Sequence, residues 1–574
     1  MKRIACLLSV CFLFGKVFSQ NPLFIPDTLS GTTFNLNVQT GVKQFIGTNN
    51  TPTYGYSGSF LGPTLLINKD DSITINVTNS IPQATTVHWH GFHVAPQNDG
   101  GPHQIINPGT TWSPSFKMRN EAATFWYHPH GEGKTEVQVS KGLAGMIIVR
   151  DDIEAAYVLP RKYGVDDFPI IVQSKAFDIL YQIAPATHED SILMVNGTID
   201  AYLQVPRQVV RLRLLNGSAD RTYNFGLEDN SSFYLIGSDG GLLSQPYLTN
   251  RIRLSTGERA EILIDFSSYS VGTQLFLKSY ASELPRGIIG ADSVGTSTIV
   301  MAEGYYSNPL NGIDFNVLRL DVSMPTSSPV TTIPVAFAPK IPLLESNADV
   351  TRSVHFSADT ITSGEQGFVD GPFLMNETPF DMDSINVVAY LNDIEIWQLT
   401  NSTMVAHPFH IHDIEFYVLD INGLPPPPEY QGLKDVILVK PNDTVRFITQ
   451  FITFSDPMVP YMFHCHLLHH EDDGMMGTFL VIDPNTIGVA EMEAAESIAL
   501  YPNPASNSIT LEFPDQQKDV MTDIRVINML GETIHSFQTT GDQLKVDIEK
   551  WNAGIYLLLI RSGNQVTTKK LIKQ

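Results

Sequence analysis

Four times in 574 residues the sequence sets a single residue between two histidines: His88/His90, His128/His130, His410/His412 and His464/His466. Successive side chains on a β-strand point to opposite faces, so the two rings of each pair project together from one face. One such pair could be two satisfied strand histidines or part of a zinc site. Four pairs use eight of the sixteen histidines and offer enough imidazole for more than one metal.

The remainder of the chain agrees. Short alternating runs separated by Gly, Pro and Asn recur throughout, and amphipathic helical patterns are scarce, which is an all-β signature. The length exceeds what one core can serve, so several domains are expected. Three strands finish in an Asn-marked turn: S-I-T-I-N-V-T-N at Asn79, V-V-R-L-R-L-L-N at Asn216 and I-E-I-W-Q-L-T-N at Asn401. H-W-H-G-F-H follows the first and H-P-F-H-I-H follows the third, and each region later holds an aromatic strand, F-W-Y-H-P-H or Y-M-F-H-C-H. The first and third regions thus read as copies of one domain, and the middle region has the strands without the histidines. Boundaries are expected near 153, 310 and 486.

The N-terminus carries Lys2 and Arg3 ahead of a short apolar run, with Val17 and Ser19 before Gln20. Residues 1–19 read as a secretory signal peptide, too short to span a bilayer, and no later segment suggests a transmembrane segment. Cys6 and Cys11 leave with the signal, so the mature chain keeps Cys465 alone and cannot form an internal disulfide. A lone reactive thiol in an exported protein is a liability unless it is occupied. The net charge of -24 argues against a nucleic acid or anionic membrane partner, because phosphate attraction needs clustered Lys and Arg.

Cys465 lies between His464 and His466, so its sulfur points to the face opposite theirs. It can bind a different metal from its neighbours while staying covalently joined to both. A thiolate with two histidines and a weak methionine is the blue-copper arrangement, which passes single electrons. His407, His470 and Met475 are available to complete it.

H-W-H-G, H-P-F-H-I-H, W-Y-H-P-H and H-C-H-x-x-x-H-x-x-x-x-M resemble the four copper motifs of the multicopper oxidases of the three-domain, laccase-like kind. The resemblance covers roughly residues 30–485 and includes V-N-G, R-L-R-L-L-N, G-S-D-G-G and G-E-R-A-E-I-L-I-D-F of the middle region. It implies three cupredoxin-like Greek-key β-sandwich domains, at 20–153, 154–310 and 311–486. It implies four copper ions. One type 1 copper would take His407, Cys465, His470 and axial Met475; one type 2 copper would take His88 and His410. Two type 3 coppers would take His90, His128, His130, His412, His464 and His466. Pro129 stands where Cys465 stands in the matching strand, so the first domain is expected to lack a blue copper.

The family reaction couples four one-electron oxidations of substrate to reduction of O2 to water, which consumes protons. Asp99 and Glu471 match acidic positions that the family uses to relay them; Glu471 could equally orient a ligand. His93, His103 and His469 lie beside ligands and read as surface or supporting groups, and Met458, Met462 and Met476 as core or pocket lining. His188, His355 and His535 have no partner identifiable from sequence.

After a linker, 487–496, residues 497–574 form a separate unit with about seven short strands, a small β-sandwich. Its Y-P-N-P, its closing G-I-Y-L-L-L-I and its Lys-bearing tail resemble the C-terminal sorting domain of the type IX secretion system of Bacteroidota. That implies the type IX machinery as a partner, passage through the periplasm and outer membrane, and a secreted or cell-surface product.

The leading expectation is a laccase-like oxidase of phenols, aromatic amines or other small aromatic reductants. The first alternative is a cuprous or other metal oxidase, which N-E-T-P-F-D-M (376–382) resembles; the T-M-V-A before H-P-F-H-I-H and the lack of a dense Met tract depart from that pattern. An extracellular copper-binding protein without catalysis is the alternative from another class.

Overall fold

The computed structural model describes residues 20–184, 188–296, 304–359, 371–485, 498–514, 520–528, 533–562 and 565–574. The expected signal peptide, 1–19, and linker, 487–496, lie outside these residues.

The architecture is nearly all β. In the first unit, the sheet Thr28–Ser30, Thr64–Asn68, Gly145–Arg150, Thr124–His128, His88–His90 faces a second sheet built on Thr51–Tyr56, Thr33–Lys43 and Ser72–Asn79. Alternation explains the strands: Phe34, Leu36 and Val38 point inward from Thr33–Lys43, and Ile73, Ile75 and Val77 from Ser72–Asn79, onto one core with Trp89, Phe125 and Tyr127. The third unit repeats the plan. Val350–Ala358, Ile394–Asn401 and Thr444–Gln450 form one layer, and Met476–Ile482, Asp456–Cys465 and His407–Ile411 the other, around Trp397, Phe409, Phe447 and Phe463.

The middle unit has an eight-stranded and a six-stranded sheet. Its last strand, Phe315–Ser323, pairs with Gln274–Ser279 and Ala201–Pro206, so the middle unit runs beyond the boundary expected at 310. The chain then crosses its outer face, with Phe337 packed against Leu159 and Leu242. The third unit's first strand begins only at Val350.

Between the units lie apolar clusters, Trp126 and Met146 against Ile171 and Leu215 on one side and Leu284 and Ile288 against Ala406 and Leu438 on the other, and with them a set of buried charges. Arg211, Arg213 and Arg259 of the middle unit are at most 1% exposed and meet Glu154, Asp167, Glu261 and Asp435. Full pairing is what makes such charges tolerable away from water.

The C-terminal unit packs a three-stranded sheet on a four-stranded one around Ile509, Leu511, Ile524, Leu558 and Ile560. It touches the third unit through Ile527 and Leu559 against Met458, and through Arg561, whose Nη2 is 2.8 Å from Asp456 Oδ2. No helix among the described residues is long and apolar enough to cross a membrane.

Candidate metal centre

Two antiparallel pairings, one in the first unit and one in the third, carry the first histidine of each of the four H-x-H pairs. Thr124–His128 runs beside His88–His90 with His128 opposite His88 and Trp126 opposite His90. Asp456–Cys465 runs beside His407–Ile411 with His464 opposite His410 and Cys465 opposite Phe409. All eight paired histidines are at most 1% exposed, and they converge where the two units meet.

Their ring nitrogens fall into groups whose ligand-capable atoms lie within 4.8 Å of one another. His90, His128 and His466 form one triad and His130, His412 and His464 another, while His88 and His410 meet beside His90. His88 Nε2 and His410 Nε2 are 3.4 Å apart. On the far face of the strand, Cys465 Sγ lies 3.5 Å from His407 Nδ1 and 3.6 Å from His470 Nδ1. The helix Leu468–Asp472 follows directly and turns His470 toward the sulfur and Glu471 toward His130 and His464. Met475 is fully buried in the same core, and its carbonyl accepts the Cys465 N–H at 3.0 Å.

Outward-facing atoms fix how the rings are turned. Nδ1 of His88 meets the Asp99 carbonyl (3.0 Å), His128 the Pro129 carbonyl (2.8 Å), His410 the Asp435 carbonyl (2.8 Å) and His464 the Cys465 carbonyl (3.0 Å). His412 Nδ1 meets Asp99 Oδ2 at 2.7 Å. The inward Nε2 atoms of His130, His412 and His464 are buried without a hydrogen-bond partner. Burying a lone pair with no partner is costly, so these atoms mark positions that a metal ion would satisfy. At the sulfur site the turn is reversed: His407 Nε2 is bonded to Thr403 Oγ1 at 2.8 Å, leaving Nδ1 for the thiol. The residues fit copper in donor type at both places, imidazole alone in the cluster and thiol with imidazole beside it.

Protonation favours ligation. Burial, reinforced by neighbouring histidines, holds His90, His128, His130, His410 and His464 well below the usual imidazole range, with His466 down to about 3 and His412 to about 4. The rings are therefore neutral and keep a lone pair. Burial pushes the Cys465 thiol well up, so a metal must displace its proton.

The two carboxylates separate. Burial pushes Asp99 up, but His412 and His88 outweigh it and hold the carboxyl below its usual range. Glu471 is raised well above its usual range by burial and then by Asp472. Its oxygens approach His130 Nδ1 and His464 Nδ1 at 3.3 Å, as contacts without hydrogen-bond alignment.

Sequence reasoning missed several groups. Asp435 touches His90 through its side chain and His410 through its carbonyl, and Arg259 holds Asp435. Phe373 packs edge-on to both His407 and His470, with centroids 4.7 and 4.5 Å away. Arg259 opens the strand Arg259–Asp265 and Asp435 stands directly before Val436–Val439, and neither reads as a site residue without its distant partners. Three histidines without a partner identifiable from sequence do have neighbours: His355 pairs with Glu377, His535 stacks on Trp551 at 5.1 Å, and His188 lies edge-on to Tyr305. His93 and His469 each pair with an aspartate, Asp413 and Asp220, at 2.9 and 2.7 Å. His103 Nε2 lies 3.4 Å from the Met382 carbonyl. Met458, Met462 and Met476 are buried.

Three cupredoxin-type β units, the first and third sharing a histidine cluster, with a Cys/His site one residue away, define a class of copper oxidoreductase. Family-wide comparison agrees: multicopper oxidase patterns match residues 37–154, 187–287 and 347–485, and a secretion system C-terminal sorting domain matches 499–574. Multicopper oxidase mco of Staphylococcus haemolyticus is 32% identical over 460 residues, 78% of this chain and 88% of its own. Cell division protein FtsP of Xenorhabdus nematophila is 28% identical over 80% of this chain and 91% of its own. Among solved structures, a laccase-like multicopper oxidase, CueO, from Ochrobactrum sp. superposes with a TM-score of 0.70 at 32% identity, covering 80% of this chain and all of that one. The chain belongs to the multicopper oxidase family and carries a secretion sorting domain.

Proposed function

We propose that the protein is a laccase-like oxidase that takes electrons singly from a small phenol or aromatic amine at the Cys465 site and passes them to O2 at the histidine cluster. The observation that carries this reading is the continuity of Asp456–Cys465 into His466: the thiol meets His407 and His470, and the residues on either side of it join the two triads. His407, Cys465, His470 and Met475 would hold type 1 copper; His88 and His410 type 2; His90, His128 and His466, with His130, His412 and His464, the type 3 pair. Copper bound there supplies a one-electron acceptor at the sulfur and the reducing power for O2 at the cluster.

The chain's own groups do the rest. Thr403 fixes the His407 ring. Phe373 covers both sulfur-site imidazoles, keeping water from them. Asp99 orients His412 through Nδ1 as an ionised carboxylate. Glu471, beside His130 and His464 and kept protonated by burial, holds a proton at the cluster that oxygen reduction needs. The laccase-like relative from Ochrobactrum sp., with oxidase activity towards lignin model compounds and lignosulfonate, supports an aromatic reductant. The sorting domain supports delivery by type IX secretion to the cell surface or beyond it.

Oxygen uptake by the copper-loaded protein, compared between a simple phenol and cuprous ion, tests the substrate. Fast uptake with the phenol and little with cuprous ion is expected. The reverse would make the protein a cuprous oxidase, the alternative that N-E-T-P-F-D-M supports.

A further inference from the structure

Of the seven cluster histidines whose outward neighbours are defined, six turn Nδ1 outward and one is reversed. His90 turns Nδ1 toward His128 Nε2, at 3.4 Å, and presents Nε2 to Asp435 Oδ1, at 3.2 Å. An imidazole flips between these orientations unless something reads its outer nitrogen. Here the reader is a carboxylate, and it is itself immobilised.

Arg259 grips Asp435 with two parallel bonds, Nη1 to Oδ1 and Nη2 to Oδ2, both 2.6 Å. The guanidinium has no freedom left, because Nε donates to the Thr124 carbonyl at 3.0 Å and Nη2 to the Asp239 carbonyl at 3.1 Å. Both side chains are at most 1% exposed. The backbone carbonyl of the same Asp435 takes Nδ1 of His410. One residue thus reads rings from both H-x-H pairs that meet here, and the three-residue chain of contacts spans all three units: His90 in the first, Arg259 in the second, Asp435 in the third.

Gly91 is an independent sign that the fold makes room for this contact. Its φ is +87°, and a Cβ there would stand 2.4 Å from Asp435 Oδ2 and 3.1 Å from Arg259 Nη2. The glycine of H-W-H-G serves the carboxylate's approach as well as the turn.

We infer that Asp435, clamped by Arg259, is a positioning residue of the cluster: it fixes the reversed orientation of His90 and the ring of His410 together, and it makes assembly of the cluster depend on docking of all three units. The inference rests on the copper reading above. Asp435 touches no reacting atom, so its loss acts through the metal's hold on its ligands.

The test uses the full copper-loaded chain and its Asp435→Asn/Arg259→Gln double variant, which removes the clamp without leaving one buried charge unpaired. The blue absorption of the Cys465 site reports that the variant is folded, since His407, Cys465 and His470 bond elsewhere. Chelator competition and copper content report the cluster. The expected result is a retained blue band with cluster copper held about 10–100-fold more weakly. A blue variant with wild-type copper content and wild-type resistance to chelator would overturn the inference. Should the double variant give no blue protein, Arg259→Lys keeps the charge but not the two-point grip, and is expected to lose about tenfold in chelator resistance; unchanged resistance overturns the inference equally. A wild-type chain that takes up no copper would instead contradict the copper reading.

Discussion

Asp99 Oδ2 lies 2.7 Å from His412 Nδ1, a bond from the first β unit to the third made inside the interface that the histidine cluster occupies. Its other oxygen stands 3.4 Å from His88 Nδ1. Asp99 therefore braces a ring from each unit, His412 through its carboxylate and His88 through its carbonyl, at the cluster proposed to reduce O2.

Asp99→Asn keeps the size of the side chain and removes its charge and its capacity to accept a proton. Reoxidation of the fully reduced protein by O2 is expected to slow by about 100-fold, the scale of a lost acid–base group. The blue band, which belongs to the Cys465 site, should persist. Rapid-mixing absorption measures both in one experiment, and reoxidation at the wild-type rate would remove Asp99 from the proton path.

Cys465→Ser tests the division into two sites. The variant should lose the blue colour and turnover together, with copper content falling by about one ion per chain, because the flanking His464 and His466 face the other side. Loss of all copper would show that the sites do not assemble separately.

Glu415 offers a pH signature away from the ligands. Burial, and then Asp435, push its carboxyl from 4.5 up to about 8. Between these values the folded chain keeps a proton that the unfolded chain has released, so the stabilisation is complete below about 4.5 and is lost as pH rises through about 8. Glu415→Gln stays neutral throughout and retains a partner for Asn120, which lies 3.3 Å away. Thermal unfolding of the variant should fall less between pH 5 and pH 8 than that of wild type. Parallel curves would contradict the assignment.

Arg561→Glu addresses the C-terminal unit. Arg561 pairs with Asp456, which also takes a bond from Gln97, and the substitution sets two carboxylates against each other beside the Met458–Leu559 contact. Docking should weaken by about 1 kcal/mol, a several-fold shift. Limited proteolysis should release the unit correspondingly faster, with turnover unchanged. Equal proteolysis rates would mean that the contact contributes nothing to holding the unit in place.

Much of the site was legible because a two-residue period is local: His464, Cys465 and His466 declare two opposite faces without reference to anything else in the chain. Which histidines share a site was not local, since His88 and His410 lie 322 positions apart, and that grouping came from the resemblance to the multicopper oxidases. Asp435 was not legible, because its meaning lies in His90, 345 positions away, and in Arg259, 176 positions away. The strand that follows the boundary expected near 310 was hard to assign for a related reason. Phe315–Ser323 alternates like any half-buried strand, and its pairings with Gln274–Ser279 and Ala201–Pro206 assign it to the middle unit. Likewise His535 looks solitary until a strand pairing and a turn bring Trp551 over it.

The most direct test of the whole account is copper content and absorption measured together on the copper-loaded mature protein. About four coppers per chain are expected, with an intense blue band that bleaches under reductant and returns with O2. A protein that binds copper but shows no blue band, or one whose band does not return in O2, would contradict it.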